Sequence, residues 1–417
     1  MAGRDAALEP GLLEKARYRA IMRIRRENRE VLRRPESHRD YLQRVFREEL
    51  ERIRPDMSMG QLRELARELA LDVMGYGPLY DLLRDPKVTE IQVFAPDKAL
   101  VEREGEIMEA GVRFRDMDHL LNITKSLVGL AGARLDENSP LVTCQLPDGS
   151  RLTAGIAPVE LNGVFLGIRK FPEFLDLEEL ARRGTLTREA AAFLRLAVEV
   201  GLNIAVTGPV GVGKTTMMNA LACLIPLDKT LATTEEVAEL QFPRRRDVRR
   251  LVAKFPNVEG GGEISLPALL KAQLRHQHDW DIIGECRAAE AYYVLTATTA
   301  GHSVMTTFHA ETPSEAITLR FPDMVLQSEE GRSYGDARAI ERKTALSFDV
   351  VVQMARSGRE RKVAEIAAVG WDGKTVIEPL FRLEGDKLVS AGGRGLELLR
   401  VKRPYRNWKA VGCNAAV

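Results

Sequence analysis

Gly208, Gly211, Gly213, Lys214 and Thr215 stand in the order G-x-x-x-x-G-K-T within "AVTGPVGVGKTT", residues 205–216. Glycines at these spacings let the backbone turn tightly, so that successive N–H groups point inward at a polyphosphate. A helix behind them adds the positive end of its dipole. Gly208, Pro209, Val210, Gly211, Val212, Gly213, Lys214, Thr215 and Thr216 are therefore the candidate nucleotide-binding residues. Lys214 would reach the β- and γ-phosphates, and the Thr215 hydroxyl would ligate Mg²⁺. The segment "LNIAVTG" before the loop reads as a buried strand, and "TTMMNALACLI" after it reads as a helix. That context makes this an NTP site rather than a glycine-rich cap on a structural helix.

Hydrolysis at such a loop requires carboxylates at strand ends to hold Mg²⁺ and to orient water. "WDIIGECR" offers Glu285 after a short apolar strand. A standard second NTPase motif has Asp where Gly284 stands, so Glu285 must serve alone, through water if it meets the metal. "ATTEEVAEL" supplies Glu235 and Glu236 at the end of another strand. Such a pair also suits the first turn of a helix. Glu235 is the preferred general base of the two sites. "AGHSVMTTFHAETP" places His302 and His309 at the two ends of one strand. His302 reads equally as a structural or a functional residue, whereas His309 is a candidate γ-phosphate sensor.

These residues need a scaffold, and 417 residues exceed one ordinary core. Residues 1–74 read as a charge-rich helical arm. Its basic run, from Lys15 to Arg34, is a solvated or partner-facing helix in preference to one that docks on lipid or nucleic acid. Residues 75–171 show short alternating runs and turns, such as "TEIQVFA", "KALVERE" and "CQLPDGSRLTAGIAPV", the grammar of a small α+β domain. A linker spans 172–184. From 185 to 417 helices alternate with the apolar strands "NIAVTG", "KTLATTEE", "WDIIGE", "SVMTTFHA" and "FDVVVQMA", which predicts a parallel α/β sheet with its ligand at the strand C-termini. A hairpin turning at Asp372 and Gly373 follows.

The net charge of +1 gives no general attraction to nucleic acid or membrane. Cys144, Cys223, Cys286 and Cys413 lie far apart, which excludes a disulfide framework and a cysteine zinc knuckle. No signal peptide or membrane span is evident, so a cytoplasmic protein is expected.

The order of motifs carries a resemblance. The phosphate loop, "TEEVAEL", "PNVEGGGEISLPALLKAQLR", "IIGECR" and "TTAGHSVMTTFHAETPSEAI" look like the secretion-type traffic ATPases of the type II and type IV systems. "GYGPLYDLLRDPKVTEIQVFAPDKALVERE" and "ARLDENSPLVTCQLPDGSRLTAGIAP…IRKF" resemble the N-terminal domain of the CpaF-like branch, which powers tight-adherence (Flp/Tad) pili. The likeness covers residues 70–385.

It implies a RecA-like P-loop NTPase domain, preceded by the small α+β domain and the helical arm, working as a homohexamer. It implies ATP and Mg²⁺ as ligands and a polytopic inner-membrane platform protein as partner. Location would be cytoplasmic, peripheral at the inner membrane, with no direct nucleic-acid contact. Glu235 matches the acidic-box glutamate, Glu285 the Walker B glutamate and His309 the histidine-box residue. Arg151 and Arg169 match arginines through which the N-terminal domain reaches the phosphates, with Arg134 a third. A conjugation-type ATPase moving DNA or effector proteins is the alternative. A helicase lacks support, because "PRRRDVRR" is the only dense basic run in the ATPase half and reads as a solvated face or subunit contact.

Three departures stand out. Glu236 replaces an aspartate in the acidic box. "RHQHDWD" replaces R-x-R-P-D, leaving only Asp279 in register. Asp281 falls where the Walker B strand is normally apolar, which predicts that the strand begins after it.

Overall fold

The computed structural model describes residues 10–103, 105–170, 174–254, 261–358, 360–406 and 408. The chain divides into two compact units, Met1–Phe171 and Pro172–Val417.

The first unit begins with three long helices, α1 (Pro10–Glu27), α2 (Arg39–Ile53) and α3 (Met59–Val73). Ala16, Ala20 and Ile24 form a helical stripe on α1, and Leu42, Val45, Phe46 and Leu50 form one on α2. These stripes bury against Leu62, Ala66 and Leu69 of α3 in a common core. Ser58 and Gln61 close a capping box that starts α3. The basic face of α1 is thereby turned outward, except that Arg23 pairs with Glu48 at 2.7 Å and Glu27 at 2.9 Å.

An antiparallel sheet follows, with strands β1 (Val88–Ala95), β2 (Lys98–Arg103), β3 (Glu106–Glu109), β4 (Leu141–Gln145), β5 (Arg151–Ile156) and β6 (Val164–Arg169). Its order is β3-β2-β1-β6-β5-β4. Alternate residues such as Ile91, Val93, Leu152, Ala154, Leu166 and Ile168 are buried. They share a core with Leu120, Ile123 and Leu127 of helix α4 (Met117–Leu130).

The second unit is built on nine strands: β7 (Ile204–Thr207), β8 (Leu231–Glu235), β9 (Val248–Val252), β10 (Trp280–Ile283), β11 (Ser303–Phe308), β12 (Val350–Ser357), β13 (Glu360–Trp371), β14 (Thr375–Glu384) and β15 (Lys387–Ser390). The sheet order is β15-β14-β13-β12-β7-β11-β10-β8-β9. The six strands from β12 to β9 are parallel, and the hairpin strands β13 to β15 extend the sheet antiparallel. The five expected apolar strands all lie in the parallel part, because each is buried on both faces and so reads as a continuous apolar run. The α/β fold expected from the strand–helix alternation is the fold observed. The order of the parallel strands places β7 centrally, with its C-terminal end at the phosphate loop.

Two expectations are corrected. Asp281 lies inside β10 and not before it. A carboxylate is tolerated there because His278 and His302 each contact one of its oxygens at 2.6 Å. The run "PRRRDVRR" is not simply a solvated face. The Arg245 side chain is buried and donates to the carbonyls of Pro226, Leu227 and Lys229, while Arg250 reaches Glu235.

The far end of the sheet is held by a buried charge cluster. Asp349, just before β12, accepts from the Asn203 amide at 2.9 Å, from Arg403 Nε at 2.8 Å and from Lys402 Nζ at 3.1 Å. Lys402 ends the C-terminal helix Arg394–Lys402 and also donates to the carbonyls of Ala345 and Val369. Burial lowers the Lys402 ammonium to about 8. Between about 8 and the ordinary lysine value of 10.5, the folded chain thus binds fewer protons than the unfolded chain. This group's contribution to stability therefore rises as pH increases through that window. Lys402→Met should destabilise the chain by about 3 kcal/mol, since Asp349 and the carbonyls of Ala345, Phe348 and Val369 lose a donor. Urea unfolding of both proteins at about pH 7 and about pH 10 should show the gap widening in favour of the wild type. A gap that narrows would refute this assignment.

Candidate active site

The phosphate loop, residues 208–213, leaves β7 and enters helix α5 (Lys214–Ala222). Its conformation is reserved for glycine. Gly208 has φ +144°, and a Cβ there would sit 2.4 Å from the Met354 carbonyl oxygen of β12. Gly211 and Gly213 have φ +76° and +92°, with Gly213 capping the helix. Among the described residues, Val210, Gly211, Val212 and Gly213 donate no backbone hydrogen bond. Their amides and the first turn of α5 form a nest suited to an anion. Thr215 and Thr216 are half-buried in that first turn.

Lys214 is 8% exposed, and its ammonium is turned toward the loop. It donates to the carbonyls of Gly208 at 3.0 Å and Pro209 at 2.8 Å, and lies 3.1 Å from His309 Nδ1. His309, at the end of β11, also has Nδ1 3.2 Å from the Gly208 carbonyl. Its Nε2 lies 3.0 Å from Glu285 Oε1, at the end of β10. The second oxygen of Glu285 accepts from Arg287 at 2.6 Å, and Arg287 continues to Glu236, after β8, at 3.0 Å. Lys214, His309, Glu285, Arg287 and Glu236 thus follow the sheet order β7-β11-β10-β8. Hydrogen bonding to Glu285 raises the Arg287 pKa further above the ordinary guanidinium range.

Glu235 does not join this string. It is 1% exposed, and its Oε1 accepts from the amides of Glu239 at 2.7 Å and Leu240 at 2.6 Å. Its Oε2 faces Arg250 at 3.3 Å. Burial raises its pKa, against the pull of the amide donors and Arg250. A carboxylate bound in this way shapes the loop after β8, which weighs against the expected preference for Glu235 as general base. Gly284 explains part of the geometry. A Cβ at that position would meet Glu235 Cγ at 3.2 Å. The glycine that stands in place of an aspartate leaves room for the buried Glu235 side chain.

In the first unit, Arg151 and Arg169 are directly opposite each other on β5 and β6. Like charges so placed repel, and an anion between them would relieve the repulsion. Arg134 is instead engaged by Asp136. Sequence reasoning missed Arg287, which only the fold brings between Glu285 and Glu236. It also missed Gln353, which accepts from the Thr207 hydroxyl at 2.6 Å and donates to the Ala310 carbonyl at 3.0 Å, tying together the strands around the loop. A polar residue inside the apolar run "FDVVVQMA" was the available signal.

The model of the type II/IV secretion system protein family matches residues 72–415. A putative conjugal transfer protein of Mycobacterium tuberculosis is 33% identical over 314 residues, 73% of this chain and 87% of the relative. The type IV secretion system protein VirB11 of Brucella suis is 30% identical over 325 residues, 72% and 89% of the two chains. Among solved structures, the Brucella suis VirB11 ATPase in complex with sulphate is 27% identical, covering 71% of this chain and 93% of that one, with a TM-score of 0.39. The pilus retraction motor PilT with bound ADP is 18% identical, covering 78% and 85%, with a TM-score of 0.49.

Two of the three loop glycines provide a graded test. Gly208→Ala meets both a forbidden φ and a backbone oxygen, and should cost about 3 kcal/mol or more, with loss of binding to a fluorescent ATP analogue. Gly211→Ala meets open space and only the φ penalty, about 1 kcal/mol. Equal thermal shifts for the two would contradict the close approach to Met354.

Proposed function

Since this chain belongs to the type II/IV secretion system protein family, we propose that it hydrolyses ATP and converts the hydrolysis into domain motion. That motion powers pilus assembly or protein secretion at the cytoplasmic membrane. The observation that carries this reading is the contact series from Lys214 through His309 to Glu285 at the mouth of the phosphate loop.

In this reading the loop amides and Lys214 hold the phosphates. Glu285, at the strand end and partly exposed, orients the attacking water. His309 links the γ-phosphate position to Glu285. Glu235 supports the loop from behind. The donor set suits Mg²⁺, with the Thr215 hydroxyl and, through water, the Glu285 carboxylate available to hold it. The ion when bound would neutralise phosphate charge. Arg151 and Arg169 contribute cations to the phosphates, as the family resemblance implies.

The proposal extends to a homohexamer of subunits divided near residues 74, 171 and 184, and to a polytopic inner-membrane platform as partner. It also places the chain in the CpaF-like, tight-adherence branch. A conjugation-type secretion ATPase is the second reading, favoured by the relative named as a putative conjugal transfer protein. No helix among the described residues is long and apolar enough to cross a membrane.

Phosphate-release assays separate the roles. Lys214→Ala should abolish turnover. Glu285→Gln should retain ATP binding while turnover falls about 100-fold or more. Glu235→Gln should lose about 10-fold or less. The reverse ranking of the two glutamates would exchange their roles, and a fully active, folded Lys214→Ala would sink the ATPase reading.

Arg151→Ala and Arg169→Ala should each leave ATP binding intact and reduce turnover about 10-fold or more. Normal turnover in both would remove the arginines from the mechanism.

A further inference from the structure

At the N-terminal ends of β10 and β11, the edge of the sheet opposite the phosphate loop, three potential metal ligands converge. His278 precedes β10 by two residues, Asp281 is its second residue, and His302 immediately precedes β11. The strands pair in parallel, with Asp281 opposite Val304, so the ligands sit on a rigid backbone. We propose that His278, Asp281 and His302 bind one divalent transition-metal ion, with Zn²⁺ the first candidate, at a site separate from the nucleotide.

Two imidazoles and one carboxylate are the ligand types of a three-residue zinc site with a fourth position left for water. His278 Nε2 and His302 Nδ1 each lie 2.6 Å from one of the two Asp281 oxygens, and one ligand atom from each residue falls within 4.8 Å of the others. Those separations bracket the roughly 3.3 Å that a tetrahedral ion with bonds of about 2.0–2.1 Å requires. An ion would replace the protons now shared between ring nitrogens and carboxylate, with only small movements of three side chains.

The surroundings agree with that use. The two rings pack edge to face with centroids 4.3 Å apart. Among the described residues, His278 Nδ1 is buried without a hydrogen-bond partner, and the polar contact of the ring is to Asp281.

Behind the first ligands, Gln273 donates to Asp281, and the Thr234 hydroxyl donates to Gln273. Outer hydrogen bonds of this kind orient a ligating carboxylate. A cavity of about 160 Å³ is lined in part by His278, Asp279, Trp280 and Ser303, so of the three ligands it reaches His278. Charges along it are balanced, Glu199 and Asp279 against Lys229 and Arg406.

The full-length chain should be stripped with chelator, dialysed against Zn²⁺ and assayed for metal by mass spectrometry. One retained ion per chain with a raised melting temperature is expected. His278→Gln should lose the ion, and Gln273→Leu should weaken affinity about 10- to 100-fold. A wild type that retains no stoichiometric metal, or a His278→Gln variant that binds as the wild type does, would overturn the proposal.

Co²⁺ titration of the wild type gives a readout that needs no variant. Visible absorption of a tetrahedral nitrogen–oxygen site supports the assignment. A thiolate charge-transfer band would place the ion at a cysteine and overturn it, as would octahedral absorption that shows only solvated Co²⁺. None of these measurements depends on ATP turnover, so their failure leaves the proposed ATPase untouched.

Discussion

A lysine ammonium that is almost fully buried must be answered by negative charge or by carbonyl dipoles at close range. Lys214 meets that demand within its own loop and from β11, and the rest of the site is arranged around its doing so. The loop has to fold back sharply enough to aim two carbonyls at the ammonium. That fold-back presses Gly208 against Met354, where no other residue fits. His309 has to come from the neighbouring strand, which fixes β11 beside β7. Glu285 then needs β10, and Arg287 with Glu236 extends the compensation to the end of β8. The parallel order of the strands thus becomes the order of one series of polar and ionic contacts.

What the sequence disclosed and what it concealed differ for a physical reason. The phosphate loop was legible because its glycine spacing encodes backbone conformation locally. The parallel strands were legible because burial on both faces leaves uninterrupted apolar runs. Glu285 and His309 could be named because each terminates such a run. Glu235 also terminates one, and by that criterion it looked equivalent. Its separation from Glu285 depends on amides at 239 and 240 and on Arg250, contacts made by a loop whose path no periodicity announces. Asp281 misled in the opposite direction. A charge in an apolar run argues for a strand boundary unless partners are supplied from elsewhere, and here His278 and His302 supply them. The three N-terminal helices were readable one by one, but the core they share required knowing that their apolar stripes face each other.

The large sheet separates two kinds of polar chemistry by its two edges. At the C-terminal ends of the parallel strands, His309, Glu285 and Arg287 are only partly enclosed, and with the buried Lys214 they share hydrogen bonds that can be exchanged. At the N-terminal ends, Asp349 with Lys402 and Arg403, and Asp281 with its two histidines, are more fully buried. Buried clusters of that kind hold strands in register, because breaking one partner strands an uncompensated charge. The pairing of an adaptable edge with a fixed edge lets side chains at the loop change partners while the strands beneath them keep their positions.

That division bears on what a polyphosphate would do on arrival. It would bring to the nest of loop amides several negative charges, each a stronger partner for an ammonium than a carbonyl dipole. Lys214 would therefore exchange the carbonyls of Gly208 and Pro209 for phosphate oxygens. His309, whose Nδ1 now faces both Lys214 and the Gly208 carbonyl, would lose that shared environment. Its other nitrogen remains beside Glu285, so a change of hydrogen bonding at one side of the ring is transmitted as a change of polarity at the other. Glu285 is held in turn by Arg287, and Arg287 by Glu236. The first partner exchange at the loop would thus reach the Glu285 carboxylate through an unbroken set of contacts of 3.1 Å or less. Glu235, with its oxygens committed to backbone amides and Arg250, stands outside that sequence of exchanges.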